Sequence, residues 1–252
     1  RNLSLNGALW VRDEVDKGLV SQLQSAGIVD EILSTCLIKR GICELKEARE
    51  FLSPKLSQLH DPFLMKDMQR AVSRLELAIR NQELIRVVTD YDVDGTTSSL
   101  ILQSVLEILG HRNFTYHIPH RMSEGDGFSL LAAEKAFEDG VKLIVTADIG
   151  VRDFEAIDFS QKHGIDVIVL DHHLPQGSGI PENAYAVLCP PQKACNYPNK
   201  ALAACGISLK FAQAMLHNRP NYETILRSML KLAAMGTIAD VVTLMDQENR
   251  AI

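Results

Sequence analysis

Three aspartates alternate with other residues at the end of an apolar segment of the chain. Residues 84–90 read LIRVVTD, and the acids are Asp90, Asp92 and Asp94. In an extended chain alternate side chains point the same way, so a strand that continued this far would bring three carboxylates together. Such carboxylates repel each other unless a cation lies between them, and oxygen ligands suit hard divalent cations. The segment alone also fits an acidic turn in which Gly95 supplies a positive φ.

Two later apolar segments also end in side chains that can bind metals. They are VKLIVTA (141–147) and IDVIVL (165–170). Because ligands in open parallel sheets bind outside the carboxyl ends of the strands, we expect the residues after these segments to share one crevice. Those residues are Asp148 after the first segment and Asp171, His172 and His173 after the second.

A fourth acid, Asp240, lies in the apolar segment GTIADVV, where an unpaired carboxylate would be costly to bury. Each acid and histidine also has an ordinary interpretation: Asp148 as a helix cap, His172 and His173 as loop histidines, and Asp240 as a cap or a partner of Arg250. Their recurrence at the ends of apolar segments favours a metal cluster.

The expected ligands are mostly oxygens with one or two imidazoles, which suits Mn²⁺ or Mg²⁺ better than structural zinc. Five or more ligands exceed what one such ion usually takes from protein, so we expect two ions bridged by a carboxylate. Ions ~3.5–4 Å apart promote phosphoester hydrolysis by activating water and stabilising negative charge. The chain lacks the G-x-x-x-x-G-K-[ST], G-x-G-x-x-G and G-x-S-x-G motifs of competing chemistries.

The elements that must position these residues alternate between strand and helix from residue 84 onward. This alternation predicts an α/β fold, with a mostly parallel, Rossmann-like sheet flanked by helices. The predicted strands are 84–90, 114–118, 141–147, 165–170 and 185–189, and the predicted helices are 97–109, 129–139, 152–163, 201–217 and 222–235. We interpret 1–83 as an N-terminal helical region packed on the core and 84–252 as the catalytic domain.

Composition narrows the function classes. A formal net charge of −6 over 252 residues argues against a generic surface for coating nucleic acid, although bound cations would reverse the charge locally. No apolar run approaches the ~18 residues that span a membrane. The five cysteines form no C-x-x-C pair and are interpreted as reduced thiols of a cytoplasmic protein; a disulfide or zinc site is the alternative.

Four ordered motifs resemble those of the DHH phosphoesterase superfamily, and within it the RecJ-like single-strand-specific DNA exonucleases of bacteria. They are DYDVDGTTS, TADIG, DHH and GTIADVV, and the resemblance covers nearly the whole chain. The helical segment with AREFLSPKL and LHDPFLMKDM favours the RecJ-like group over pyrophosphatases and small oligonucleotide hydrolases.

The resemblance implies a role for each candidate residue. Asp171 would orient its neighbour, His173 would contact the scissile phosphate, and Arg121 would hold a substrate phosphate, unless it forms a surface ion pair. Val88 stands where other members have a ligating histidine, so Asp90 would substitute for it. One ion would be held by Asp90, Asp92 and Asp148, and the other by Asp94, Asp148, His172 and Asp240.

The implied activity is Mn²⁺- or Mg²⁺-dependent 5′→3′ hydrolysis of single-stranded DNA to 5′-mononucleotides in DNA repair and recombination. Implied partners are a single strand with a 5′ end and a repair helicase or single-strand-binding protein, with no membrane. Alternatives are a hydrolase of short oligonucleotides or cyclic dinucleotides, and a non-catalytic scaffold of the same fold, although such scaffolds lose the acids. RecJ-like proteins carry a second domain after the fourth motif, so we expect a catalytic-core fragment with metal binding, weak nuclease activity and reduced processivity.

Overall fold

The computed structural model describes residues 6–7, 14–27, 30–119, 127–177 and 179–252, which fall into two compact units. The first unit, Arg1–Lys55, contains α1 (Lys17–Ser25), α2 (Glu31–Lys39) and α3 (Leu45–Leu52). Its helices share a small apolar core made of Leu23, Leu37, Ile42 and Ala48. The helical character predicted for the start of the chain is therefore present.

The second unit, Leu56–Ile252, is built around a parallel sheet. The strands are β1 (Ile85–Thr89), β2 (Phe114–His117), β3 (Leu143–Ala147), β4 (Asp166–Leu170) and β5 (Ala186–Leu188). Their order in the sheet is β2-β1-β3-β4-β5 and every pairing is parallel. All five residues of β1 and of β3 are buried, as expected for strands with helices on both faces. This confirms the predicted α/β class.

Helices cover the two faces of the sheet. They are α4 (Met68–Arg80), α5 (Val93–Ile108), α6 (Leu130–Glu138), α7 (Phe154–Lys162), α8 (Ala204–Leu216), α9 (Tyr222–Ala239) and α10 (Gln247–Ala251). One face packs its apolar side chains with α6 and α7, and the opposite face packs with α4, α5 and α8, while α9 packs against α5 and α8. Along β3, Leu143 and Val145 belong to one core and Ile144 to the other, which is the alternation of a strand.

The start of α5 differs from the prediction. The strand ends at Thr89 and the helix begins at Val93 rather than at residue 97, because the Asp92 side chain accepts the Gly95 N–H at 2.9 Å and caps the helix. Asp90, Asp92 and Asp94 are therefore brought together by a strand-to-helix turn and not by the alternation of side chains along a strand. Gly95 is needed for close approach, since an added Cβ would clash with the Asp90 backbone, and not for a positive φ.

The compact units also differ from the predicted division at residue 83. Helix α4 shares the core of the sheet through Met68, Ala71 and Leu75. Arg74 on the same helix is buried and donates to Glu83 at 2.7 Å. Residues 56–83 therefore fold with the sheet, since their apolar side chains complete one of its two faces.

No helix in the described ranges is both long enough and apolar enough to cross a bilayer. All five cysteines are free thiols.

The packing of α4 predicts a contrast between two leucines on that helix. Leu75 is 2% exposed and Leu77 is 41% exposed. Leu75→Ala should lower the free energy of unfolding by about 2–5 kcal/mol because it leaves a cavity beside the sheet. Leu77→Ala should change it by no more than about 0.5 kcal/mol. Urea unfolding of both variants measures the difference, and equal effects would contradict the placement of α4 in this core.

Candidate metal centre

Three neighbouring strands end beside each other at one edge of the sheet. β1, β3 and β4 are adjacent and parallel, so their carboxyl ends lie together. Asp90 follows β1, Asp148 follows β3, and Asp171 with His172 follows β4. Asp240, at the end of α9, reaches the same place. Its Oδ2 lies 3.7 Å from His172 Nδ1.

One group of possible ligands consists of Asp90, Asp92 and Asp148. One carboxylate oxygen from each lies within 4.8 Å of the others. Asp90 accepts the N–H of Tyr91 at 2.8 Å, and Asp92 is held by its capping bond to Gly95. Asp148 is buried and has a left-handed φ of +65°. A non-glycine residue in this conformation is strained, and such strain tends to occur at functional sites.

A second group consists of Asp94, His172 and Asp240, whose ligand atoms also lie within 4.8 Å of one another. His172 is central: its Nε2 lies 3.9 Å from Asp94 Oδ2 and its Nδ1 lies 3.7 Å from Asp240 Oδ2. The same Nε2 lies 3.2 Å from Asp148 Oδ1. Asp148 and His172 therefore join the two groups into one cluster.

Asp94 is fixed by a helix that lies far away in the sequence. Its Oδ2 accepts the Ala204 N–H at 2.7 Å and its Oδ1 accepts the Cys205 N–H at 2.8 Å. These amides begin α8, whose N-cap residue, Ala203, provides no side-chain cap of its own. Asp94 therefore caps α8 in place of Ala203. The first amides of a helix have no partner within the helix, so they stabilise the negative charge of Asp94.

Gly236 allows α9 to pack close to this anchored carboxylate. A Cβ at this position would lie 2.9 Å from Asp94 Oδ1 and 2.5 Å from Cys205 Sγ. A residue with a side chain would therefore push α9, and with it Asp240, away from Asp94.

Asp171 and His173 form a pair beside the cluster. His173 Nδ1 lies 2.7 Å from Asp171 Oδ1, and Asp171 Oδ2 accepts the Val151 N–H at 2.9 Å. Burial alone would raise the pKa of Asp171, but the hydrogen bond and charge of His173 outweigh it, so this pKa lies below its ordinary value. The hydrogen bond to Asp171 raises the pKa of His173. The pair therefore favours a cationic imidazole with a fixed orientation.

Packing the acids together changes their affinity for protons. Burial, followed by the charge of Asp94, raises the pKa of Asp148 to about 7, although His172 opposes the shift. Burial opposes protonation of His172, but the hydrogen bond to Asp148 and the charges of Asp240 and Asp94 raise its pKa to about 9. Burial also raises the pKa of Asp240. The metal-free cluster therefore retains protons at neutral pH.

This donor set fits divalent cations. In the described part of the chain, Asp94, Asp148 and Asp240 pair with His172 and with backbone amides, and not with lysine or arginine. Carboxylates packed this closely retain protons, and a divalent ion that binds to them can replace those protons. Oxygen ligands with one imidazole suit Mn²⁺ and Mg²⁺. The two groups are joined by a third, formed by Asp148, His172 and His173, and together they are compatible with two ions.

A cleft of about 210 Å³ adjoins the cluster and contains a residue that the sequence patterns do not reveal. Asp90, Asp148 and His173 line it together with Gly127 and Asp153. Asp153 stands at the N-cap of α7 but makes no capping bond. Its carboxylate instead accepts the N–H of Phe128 at 2.8 Å.

Gly127 has a φ of +88°, and an added Cβ would lie 2.8 Å from Asp153 Oδ1. Asp153 therefore secures the Gly127–Phe128 backbone as one wall of the cleft. In a sequence, an acid at the start of a helix looks like an ordinary cap, so no local signal identifies this role.

The structure thus brings together all six predicted metal ligands and the Asp171–His173 pair. Arg121, the predicted phosphate contact, lies outside the described residues.

Comparisons with known proteins show the family of the chain. The model of the DHH family, N-terminal domain, matches residues 84–237. The single-stranded-DNA-specific exonuclease RecJ of Bacillus subtilis is 37% identical over 243 residues, which cover 96% of this chain and 30% of that protein. The chain spans about a third of the length of the curated relatives that it matches.

Two solved structures share the fold. The crystal structure of exonuclease RecJ bound to manganese has a TM-score of 0.67 and 31% identity, covering 78% of this chain and 47% of that one. The crystal structure of RecJ from Thermus thermophilus in complex with Mn²⁺ has a TM-score of 0.73 and 27% identity, covering 94% of this chain and 32% of that one.

The raised pKa values predict that Mn²⁺ stabilises the protein more at higher pH. Asp148 and His172 both bind a proton more tightly in the folded protein than in the unfolded chain. Without a cation, the free energy of unfolding therefore falls as pH rises toward about 7, where folded Asp148 loses its proton, and toward about 9, where folded His172 loses its proton. A bound cation removes this loss, so Mn²⁺ affinity should rise by up to about tenfold per pH unit for each proton released. Thermal unfolding with and without Mn²⁺ at pH 6 and pH 8 measures the effect.

Asp148→Asn is the variant to compare in this experiment, because it keeps the shape of the side chain and removes both the titrating group and a proposed ligand. This variant should show a small Mn²⁺-induced shift at both pH values. Equal stabilisation of the wild-type protein at pH 6 and pH 8 would contradict the protonation states assigned to the cluster.

Proposed function

Because this chain belongs to the DHH family, we propose that it is the catalytic part of a metal-dependent phosphodiesterase that hydrolyses single-stranded DNA from its 5′ end and releases 5′-mononucleotides. The observation that carries the proposal is the pair of adjacent ligand groups that meet where Asp148 of one group lies 3.2 Å from His172 of the other. The names of the curated relatives, which are single-stranded-DNA-specific exonucleases, support the choice of substrate.

Each ligand group would hold one Mn²⁺ or Mg²⁺ ion. Asp90 and Asp92 would hold the first ion, with Asp148 shared between the two ions. Asp94, His172 and Asp240 would hold the second ion. When bound, two such ions lower the pKa of an attacking water and neutralise charge that develops on a phosphate. The solved RecJ structures that contain manganese support the choice of metal.

His173 would bind the scissile phosphate. Its Nδ1 is engaged by Asp171, and the residue lines the cleft with Asp90 and Asp148, so its other ring nitrogen is available to an oxygen of the substrate. The raised pKa favours the protonated ring, which donates a charge-assisted hydrogen bond to a phosphate oxygen. Asp171 would hold the ring in place. Arg121 would bind a neighbouring phosphate, a role that the resemblance to the family implies.

The wider biological role is a further part of the proposal, and it rests on the resemblance to the RecJ-like exonucleases. We propose action in DNA repair and recombination, on single strands supplied by a repair helicase or covered by a single-strand-binding protein. The free thiols support a reducing compartment, and we place the protein in the cytoplasm.

A cleavage assay tests the proposal. The protein should release mononucleotides from a 5′-phosphorylated single strand in the presence of Mn²⁺, and more slowly from a duplex of the same sequence. His173→Gln should lower the rate by about 10²–10³-fold, since it removes a charged donor that contacts the reacting phosphate. An Asp92→Ala, Asp94→Ala double variant should lose activity, whereas Asp30→Asn in the first unit should retain it.

Two results would contradict the proposal in different ways. Rapid hydrolysis of a dinucleotide without cleavage of the long strand would instead indicate a hydrolase of short oligonucleotides. Failure to bind Mn²⁺, together with no cleavage of either substrate, would indicate a non-catalytic scaffold.

A further inference from the structure

Glu248 in α10 is a fully buried acid outside the metal cluster. Its carboxylate accepts hydrogen bonds from Tyr197 Oη at 2.6 Å, from the His60 N–H at 3.0 Å and from Asn199 Nδ2 at 3.4 Å. It also forms an ion pair of 3.2 Å with Lys210 on α8, and both side chains of this pair are 0% exposed. One carboxylate therefore ties α10 to three other segments of the chain.

Asn249, the next residue, extends these connections toward the cluster. It is buried, and its Oδ1 accepts from Asn199 Nδ2 at 2.8 Å. Its Nδ2 donates to the carbonyl oxygen of Ala201 at 2.8 Å and to that of Thr243 at 2.9 Å. Asn249 thus links the segment before α8 to the segment after α9.

Both of those segments lead directly to predicted metal ligands. Three residues after Ala201, Ala204 begins α8 and donates its N–H to Asp94. Three residues before Thr243, Asp240 ends α9. The contacts of α10 therefore tie the support of Asp94 to the support of Asp240.

The backbone between Asp240 and Thr243 requires such a tie. Val241 has a φ of +57°, and its side chain is 85% exposed. A β-branched residue in the left-handed region is strained, and such a conformation persists only when surrounding contacts hold it. Because Val241 is exposed, its own side chain provides little packing, and the bond from Asn249 to Thr243 holds the chain just beyond it.

Stability alone is a weak explanation for the Lys210–Glu248 pair. Two charges must lose their hydration to be buried, and replacing such a pair with apolar residues is often neutral or stabilising. A buried ionic network that fixes one arrangement of several segments is better explained by the geometry that it imposes.

We propose that Glu248 and Asn249 are positioning residues for the second cation: through the segments before α8 and after α9, they hold Asp240 in place relative to Asp94 and His172. Within the described part of the chain, their hydrogen bonds and ion pairs go to residues outside the cluster. The inference rests on the proposed two-cation site and deepens it, because it assigns control of the second ion to residues outside the four motifs.

A Mn²⁺ titration of the purified protein tests the inference, with free Mn²⁺ followed by electron paramagnetic resonance. The wild-type protein should bind two equivalents. Glu248→Gln should weaken the second equivalent by about 10–100-fold, the usual effect of removing a residue that orients a ligand, and leave the first within about twofold. Asn249→Ala should have the same selective effect without removing a charge, and it decides the matter if Glu248→Gln does not fold.

Glu83→Gln is the matched control. Glu83 also pairs with a buried cation, Arg74 at 2.7 Å, but this pair lies just before β1, at the opposite edge of the sheet from the cluster. Glu83→Gln should lower the thermal midpoint and leave both Mn²⁺ affinities unchanged.

The outcomes are distinguishable. Two equivalents bound with wild-type affinity by both Glu248→Gln and Asn249→Ala would overturn the inference. Equal weakening of the second equivalent by Glu83→Gln would also overturn it, because general destabilisation would then explain the loss. A wild-type protein that binds a single equivalent would contradict the proposed two-cation site itself, and this result comes from the wild-type titration alone.

Discussion

Repulsion among buried carboxylates is the constraint on which this structure depends. Asp94 and Asp148 are almost fully buried, and both lie within ion-pair distance of His172. Burial and mutual charge raise the pKa of Asp148 to about 7, which is the cost of placing acids side by side without a cation. An arrangement of this kind persists only if the surrounding fold holds each acid in place.

The supports come from rigid elements. A parallel sheet aligns the ends of β1, β3 and β4, a helix cap fixes Asp92, and the first amides of α8 hold Asp94. Gly236 lets α9 approach closely enough for Asp240 to reach the cluster. The cluster is therefore assembled mainly by backbone geometry and main-chain hydrogen bonds.

Some of this organisation could be predicted from the sequence and some could not. Acids after apolar segments predicted which strands would meet, because the carboxyl ends of parallel strands share one edge. The route by which Asp94 reaches the cluster was predicted incorrectly, since the cap at Asp92 starts α5 before the strand alternation could act. The supports of Asp94 and the role of Asp153 were not predicted. They are hydrogen bonds between residues far apart in the chain, and such bonds leave no periodic pattern. The spacing of apolar residues in segment 56–83 predicts a helix but does not say which core that helix joins.

The most direct test of the central claim is the anomalous scattering of Mn²⁺ in crystals of this protein soaked with the ion. We predict two manganese peaks, both within bonding distance of Asp148, one also bonded to Asp90 and Asp92 and the other to Asp94, His172 and Asp240. A single peak, or two peaks that do not share Asp148, would contradict the account.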